Sequence, residues 1–233
     1  MYESAVFAVV NGWIEAGGSI VAVLLVLSVF LLTLVLLKLW QFQRAGLFSP
    51  YHHRLSHDAL ALWQKGDQQA AQQLVANTAN PVHQVLSSGM TYLQAGQLHG
   101  QSLGDELSRQ ALRHLNALRG HLRPIEVIAN LAPLIGLLGT VQGMIEAFQA
   151  MEAAGKQVDP SILSGGIWKA LLTTAVGLLV AIPATILFNW FERRVELCAE
   201  LMQDSVAQLF THQASAANER ANAKVRDIHR ASA

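Results

Sequence analysis

Apolar positions along the chain gather into three long blocks without charge, and amphipathic stretches lie between and after them. The first block, AGGSIVAVLLVLSVFLLTLVLL, fills the 22 residues between Glu15 and Lys38. At about 1.5 Å per residue it reaches roughly 33 Å, enough to cross a hydrocarbon core of about 30 Å. The second, VIANLAPLIGLLGTVQGMI, has 19 residues between Glu126 and Glu146, and the third, ALLTTAVGLLVAIPATILFNWF, has 22 between Lys169 and Glu192. The pattern predicts an all-α membrane protein with transmembrane helices at 16–39, 125–148 and 167–191. The first block is too long for the core of a signal peptide, and no Lys or Arg precedes it, so it reads as a retained span.

Between the first two blocks, 40–124 predicts helices with breaks. Asp58 is the expected N-cap of ALALWQK, and Gly66-Asp67 interrupts before QQAAQQLVAN. Asn80-Pro81 starts a further helix that ends near Gly96–Gly100. Asp105 and Glu106 are expected to open the next, with Leu107, Ala111, Leu115 and Leu118 on one face. Pro124 is expected to kink that helix without ending it. Asp159-Pro160 marks a turn in the loop 149–166. After Phe191, the residues Val195, Leu197, Leu201, Val206 and Leu209 continue a helical pattern, and 211–233 is expected to fray.

Charge gives the spans a direction. Only 14% of residues are charged, against about 25% in soluble domains. Sixteen Lys and Arg balance sixteen Asp and Glu, which excludes a strongly basic nucleic-acid binder. No Lys or Arg precedes Lys38, eight fall in 38–124, one (Lys156) in 125–166, and six in 191–233. The positive-inside rule then predicts an N-out, C-in topology. Segments 1–15 and 149–166 lie outside, and the helical extensions 40–124 and 192–233 lie in the cytoplasm.

Candidate chemistry is sparse. His52, His53 and His57 have only Asp58 as a companion carboxylate and read as solvated, so no metal or other cofactor is expected. The lone Cys198 excludes an internal disulfide and reads as a packed thiol. No GxxxxGK[ST] phosphate loop, HExxH or nucleophile elbow occurs, so nucleotide hydrolysis or other enzyme chemistry is not expected.

The second and third blocks each carry a small, partly polar face. On a helical wheel Ala129, Pro133, Gly136, Thr140, Gly143 and Ala147 share one stripe, and Gly139 and Gly143 form a GxxxG. In the third block Lys169, Ala170, Thr173, Thr174, Gly177, Ala181, Ala184 and Thr185 share one half. Such faces let membrane helices approach closely, with hydroxyls bonding across them. Gly136, Gly139, Gly143, Gly177, Pro133 and Pro183 are the helix-packing candidates. Thr140, Thr174 and Thr173 are candidates for lining a pathway or a partner helix. Lys169 either snorkels to the outer interface or faces the bundle interior opposite a carboxylate.

The stretches ANLAPLIGLLGTVQGMIEAF and GGIWKALLTTAVGLLVAIPATILFN resemble the ExbB/TolQ/MotA proton-channel family, nearest its ExbB and TolQ branch. The resemblance implies a subunit of a ring, typically of five, in the bacterial inner membrane. It implies an ExbD- or TolR-like single-span partner with a membrane aspartate, and a TonB- or TolA-like protein crossing the periplasm. Such complexes use proton motive force to drive transport or force transmission. Thr140 and Thr174 match the family's pore-lining threonines. The family carries a glutamate in GIxEALLxTAxG, where this chain has Lys169, so a carboxylate proton carrier is missing from that position. Lys169 is then expected to pair with the partner's carboxylate.

Overall fold

A computed structural model describes residues 2–231 apart from 49, 77, 97, 99 and 155–159. Asp159 of the expected turn, and Lys156, lie outside the described residues, as do the side chains of His52 and His53. Among the described residues run α1 (Tyr2–Arg44), α2 (Pro50–Gln64), α3 (Gln68–Val75), α4 (Pro81–Ala95), α5 (Gly100–Arg119), α6 (Leu122–Ala154) and α7 (Pro160–Ala231). Among the described residues, three helical stretches are long and apolar enough to cross a membrane: Gly17–Arg44, Leu122–Ala153 and Leu163–Thr211.

Contacts divide the chain into two units. The first comprises Met1–Lys38 and His121–Glu192. It holds α6, most of α1 and the start of α7. Its outward side chains are large and apolar, among them Val26, Val29, Leu134, Leu138, Leu171 and Ile186. In water such a surface is untenable, whereas lipid solvates it. α1 is bent at Gly18, whose φ of 71° and ψ of −158° are accessible essentially to glycine alone. Pro133 and Pro183 lie inside α6 and α7 without ending either helix.

The second unit comprises Leu39–Gly120 and Arg193–Ala233. Here α2, α3, α4 and α5 pack with the later part of α7. Ala59, Leu60, Trp63, Ala71, Val75, Leu86, Met90 and Leu209 form its core. The breaks between its helices have local causes. Gly66 takes a positive φ that turns the chain, and the Asp67 carboxylate accepts from the Ala70 N–H at 3.1 Å, capping α3. Asn80 caps α4 through Val82 N–H at 2.9 Å, with Pro81 in the first turn, and left-handed Gly96 closes it.

Four sequence expectations are corrected. Asp58 is not an N-cap, because α2 already starts at Pro50 and Asp58 lies inside it. Asp105 and Glu106 do not open α5, which begins at Gly100. An acidic pair favours a first turn but does not compel one, and Glu106 instead anchors Arg109 and Gln110 through its carboxylate. The chain breaks at Gly120 and His121, the latter with a φ of 65°, so Pro124 enters α6 in its first turn, where no N–H is required. Helix α7 continues past 211 to Ala231.

Candidate functional site

α6 and α7 meet in the first unit along a seam of small residues. Ala129, Ala132, Gly136, Gly139, Gly143 and Ala147 are buried on α6, and Ala170, Thr173, Gly177, Ala181 and Ala184 on α7. The backbones touch. A Cβ added to Gly177 would stand 2.7 Å from the Ala132 carbonyl oxygen and 3.1 Å from the Gly136 Cα. One added to Gly136 would stand 3.0 Å from the Thr173 carbonyl oxygen, and one on Gly139 would overlap the Thr173 side chain. Gly143 lies equally close to Ala170, with 3.1 Å from such a Cβ to the Ala170 Cβ.

Hydroxyls close the same seam. Thr174 Oγ1 donates to the Gly136 carbonyl oxygen at 3.1 Å. Thr173 Oγ1 donates to its own helix at Ala170 O, 2.7 Å away, and lies 3.3 Å from Gly136 O. The Thr174 hydroxyl therefore bonds α7 to α6, while Thr173 packs in the same seam with its proton held by its own helix. Thr140 stands on the shoulder of the seam, half-buried, and its hydroxyl donates back to Leu137 O at 2.7 Å. The wheel grouped Thr140 with Gly136, but the buried stripe runs through Gly139 and leaves Thr140 beside it. Pro133 is half-buried next to the seam, and Pro183 lies on the exposed side of α7.

At one end of the seam stands a pair of charges. Lys169 Nζ donates to Glu146 Oε2 at 2.7 Å. Gln142 Nε2 donates to Glu146 Oε1 at 3.2 Å. The pair borders a small cleft of about 30 Å³ lined by Gly17, Gly18, Ser19, Gln142, Glu146 and Thr173, among others. The bend in α1 brings Gly18 against the lysine stem, so that a Cβ there would stand 3.4 Å from Lys169 Cε. Lys169 thus meets a carboxylate of its own chain, where the sequence pointed only to one on a partner. Sequence reasoning missed Glu146 because it treated that residue only as the charged boundary of a span. The available signal was its helical register: Glu146 follows Gly139 and Gly143 along α6, near the small face that receives α7.

The remaining candidates lie elsewhere. His57 is exposed, and no cluster of potential metal ligands occurs among the described residues. Cys198 is buried. The second unit holds a larger cavity of about 630 Å³, lined by residues including Phe48, Arg54, Val82, Arg194, Cys198 and Asp204. It mixes apolar walls with both signs of charge, and its size alone defines no chemistry. Outside the spans, the Glu106 carboxyl is held below its usual range, first by its bond from Gln110 and then by Arg109. Burial, and then the nearby Arg113, lowers the pKa of His114.

Comparison with known proteins places these helices in context. Residues 77–204, more than half of the chain, match the MotA/TolQ/ExbB proton channel family. The chain is 36% identical over 116 residues to the biopolymer transport protein exbB1 of Vibrio cholerae, covering 47% of this chain and 50% of that protein. It is 31% identical over 119 residues to the biopolymer transport protein ExbB of Salmonella typhimurium, covering 51% and 47%. It is 39% identical over 83 residues to the Tol-Pal system protein TolQ of Haemophilus influenzae, covering 36% of each. These matches span half or less of the relatives' lengths.

Proposed function

The chain belongs to the MotA/TolQ/ExbB proton channel family, and from that premise we propose that it is an ExbB-like ring subunit of a proton-motive-force-driven complex in the bacterial inner membrane. The observation that carries this reading is the family match itself, which covers α6 and the first part of α7, the helices that form the seam and hold Lys169. Five copies form the ring in this reading, N-terminus outside and C-terminus inside. It encloses the single span of an ExbD- or TolR-like partner that carries a membrane carboxylate. Movement of that partner is passed to a TonB- or TolA-like protein and energises outer-membrane transport.

Physical chemistry supports the reading at three points. Exposed Leu, Val and Ile around the first unit suit lipid, and the positive charges of 38–124 and 191–233 suit a cytoplasmic side. Ionisable groups within spans are costly and mark ion pathways. One charge crossing 100 mV supplies about 2.3 kcal/mol, enough to compete with one partly solvated ion pair.

Reconstitution with the native partner tests the function. Proton flux into liposomes is expected with the unaltered chain. Lys169→Met is expected to abolish it while native mass spectrometry still shows the ring. Thr140→Val and Thr174→Val test the threonines separately, and unchanged flux in both would remove them from the pathway. A Tol-type output is the second reading, favoured by the TolQ match. Rescue of siderophore-dependent growth supports the ExbB-like output, and rescue of detergent resistance alone supports the Tol-type one.

A further inference from the structure

Resting on the channel reading above, we propose that Glu146 is the proton-carrying carboxylate of this chain, set in α6 and positioned by Lys169 from α7 and the bend of α1. Enclosing two opposite charges strengthens their attraction but strips their hydration, and it also cuts both off from any proton source. Within the single chain this pair is not enclosed: the Lys169 side chain is 36% exposed and that of Glu146 is 45% exposed. It opens beside a cleft of about 30 Å³, roughly the space of one water molecule. A carboxylate within a span, half-open and next to room for water, can exchange a proton. A sealed pair cannot.

The two carboxylate oxygens have different surroundings. Oε2 accepts the 2.7 Å bond from Lys169, and Oε1 accepts only the longer 3.2 Å bond from Gln142. Oε1 therefore keeps the more available lone pair and is the oxygen that takes the proton. The step is simple: a proton from the cleft binds the carboxylate and gives the neutral acid, and the same O–H bond breaks when the proton leaves. While the acid is neutral, Lys169 has lost its counter-charge and is released to engage another acceptor.

Among the described residues lining the cleft, Lys169 is the one charged group besides Glu146. α6 adds Gln142, α7 adds Thr173, and α1 adds Ser19 beside the bare backbone of Gly17 and Gly18. Gly18 carries no side chain where a Cβ would touch Lys169 Cε at 3.4 Å, so α1 passes beside the lysine stem and leaves it room. Lys169 is thus a positioning residue, and the proton-carrying group is Glu146.

The test uses the full chain copurified with its native partner and reconstituted in liposomes. Proton flux is followed with a pH-sensitive dye at an imposed potential. Glu146→Gln keeps the shape of the side chain and an acceptor for Lys169, and is expected to lower flux about a hundredfold with the ring mass unchanged. Glu146→Asp is expected to keep measurable flux with an altered pH profile. Lys169→Gln is expected to change the pH at which a carboxyl infrared band titrates, a band that Glu146→Gln lacks. Normal flux in Glu146→Gln overturns the relay and leaves the channel reading standing. If that variant fails to assemble, an unchanged pH profile in Glu146→Asp overturns the relay instead. Absence of flux with the unaltered chain overturns the channel reading and the relay with it.

Discussion

The two units solve the same problem, holding helices together, in opposite ways. In the second unit, α2, α3, α4 and α7 are joined by large apolar side chains: Trp63, Leu60, Leu86, Met90 and Leu209 fill the space between helices. In the first, α6 and α7 are joined by the near-absence of side chains, with Gly136, Gly139, Gly143 and Gly177 bringing backbone against backbone. Solvent explains the contrast. Water drives leucines together, whereas lipid is as apolar as leucine and gives them no reason to associate. Close packing and hydrogen bonds must hold the membrane seam, and both require small residues and hydroxyls. Its large apolar residues consequently point outward.

The contrast breaks most severely where bulk is removed from the second unit. Trp63→Ala is expected to cost about 3–5 kcal/mol, the usual penalty for emptying a buried aromatic site. Chemical denaturation of the full protein in detergent, read by hydrogen exchange in α2 to α4, measures it. The reverse change breaks the first unit. Gly177→Val drives a branched side chain into the Ala132 carbonyl and is expected to cost about 1–3 kcal/mol. A cysteine pair across the α6–α7 seam should then crosslink more slowly, while exchange in α2 to α4 is unchanged. Equal loss of protection in both units would show that they unfold together and would blur the comparison.

Subtler changes sharpen it. Thr174→Val removes the hydroxyl that donates across the seam to the Gly136 carbonyl. A membrane hydrogen bond averages about 0.6 kcal/mol, so a loss of that order is expected in the same crosslinking assay. The smallest effect is electrostatic and belongs to the second unit. Burial holds the His114 pKa below its unfolded value, so the unfolded chain takes up the proton more readily. The stability of this unit is then complete above the unfolded histidine pKa of about 6.5 and declines as pH falls through it. His114→Gln should flatten that decline, as measured by denaturation midpoints between pH 7 and pH 5.

Much of this was legible along the chain. Long runs without charge mark the spans because each must satisfy its backbone internally and present apolar atoms to lipid. Gly66-Asp67, Asn80-Pro81 and Gly96 mark helix ends because their backbone and capping chemistry is local. Asp58 and Asp105 misled because each has the right chemistry for a helix start, yet α2 and α5 begin earlier. Pro124, expected to kink a continuous helix, stands in the first turn of α6 because the chain already breaks at Gly120 and His121. At the seam, the wheel identified the small face of α6 and erred by one position, grouping Thr140 with Gly136 where the buried stripe follows Gly139.

The sequence by itself determined the helical class, the three blocks able to span a membrane, their small faces and a lysine, Lys169, where the family resemblance implies an acid. Those properties reside in single residues and their spacing. Only the tertiary structure decided what Lys169 meets. Glu146 precedes it by 23 residues and lies on another helix. No periodicity links the two, because their approach depends on the depth to which α6 and α7 sink into each other. The glycines permit that depth, and it brings an ammonium within 2.7 Å of a carboxylate.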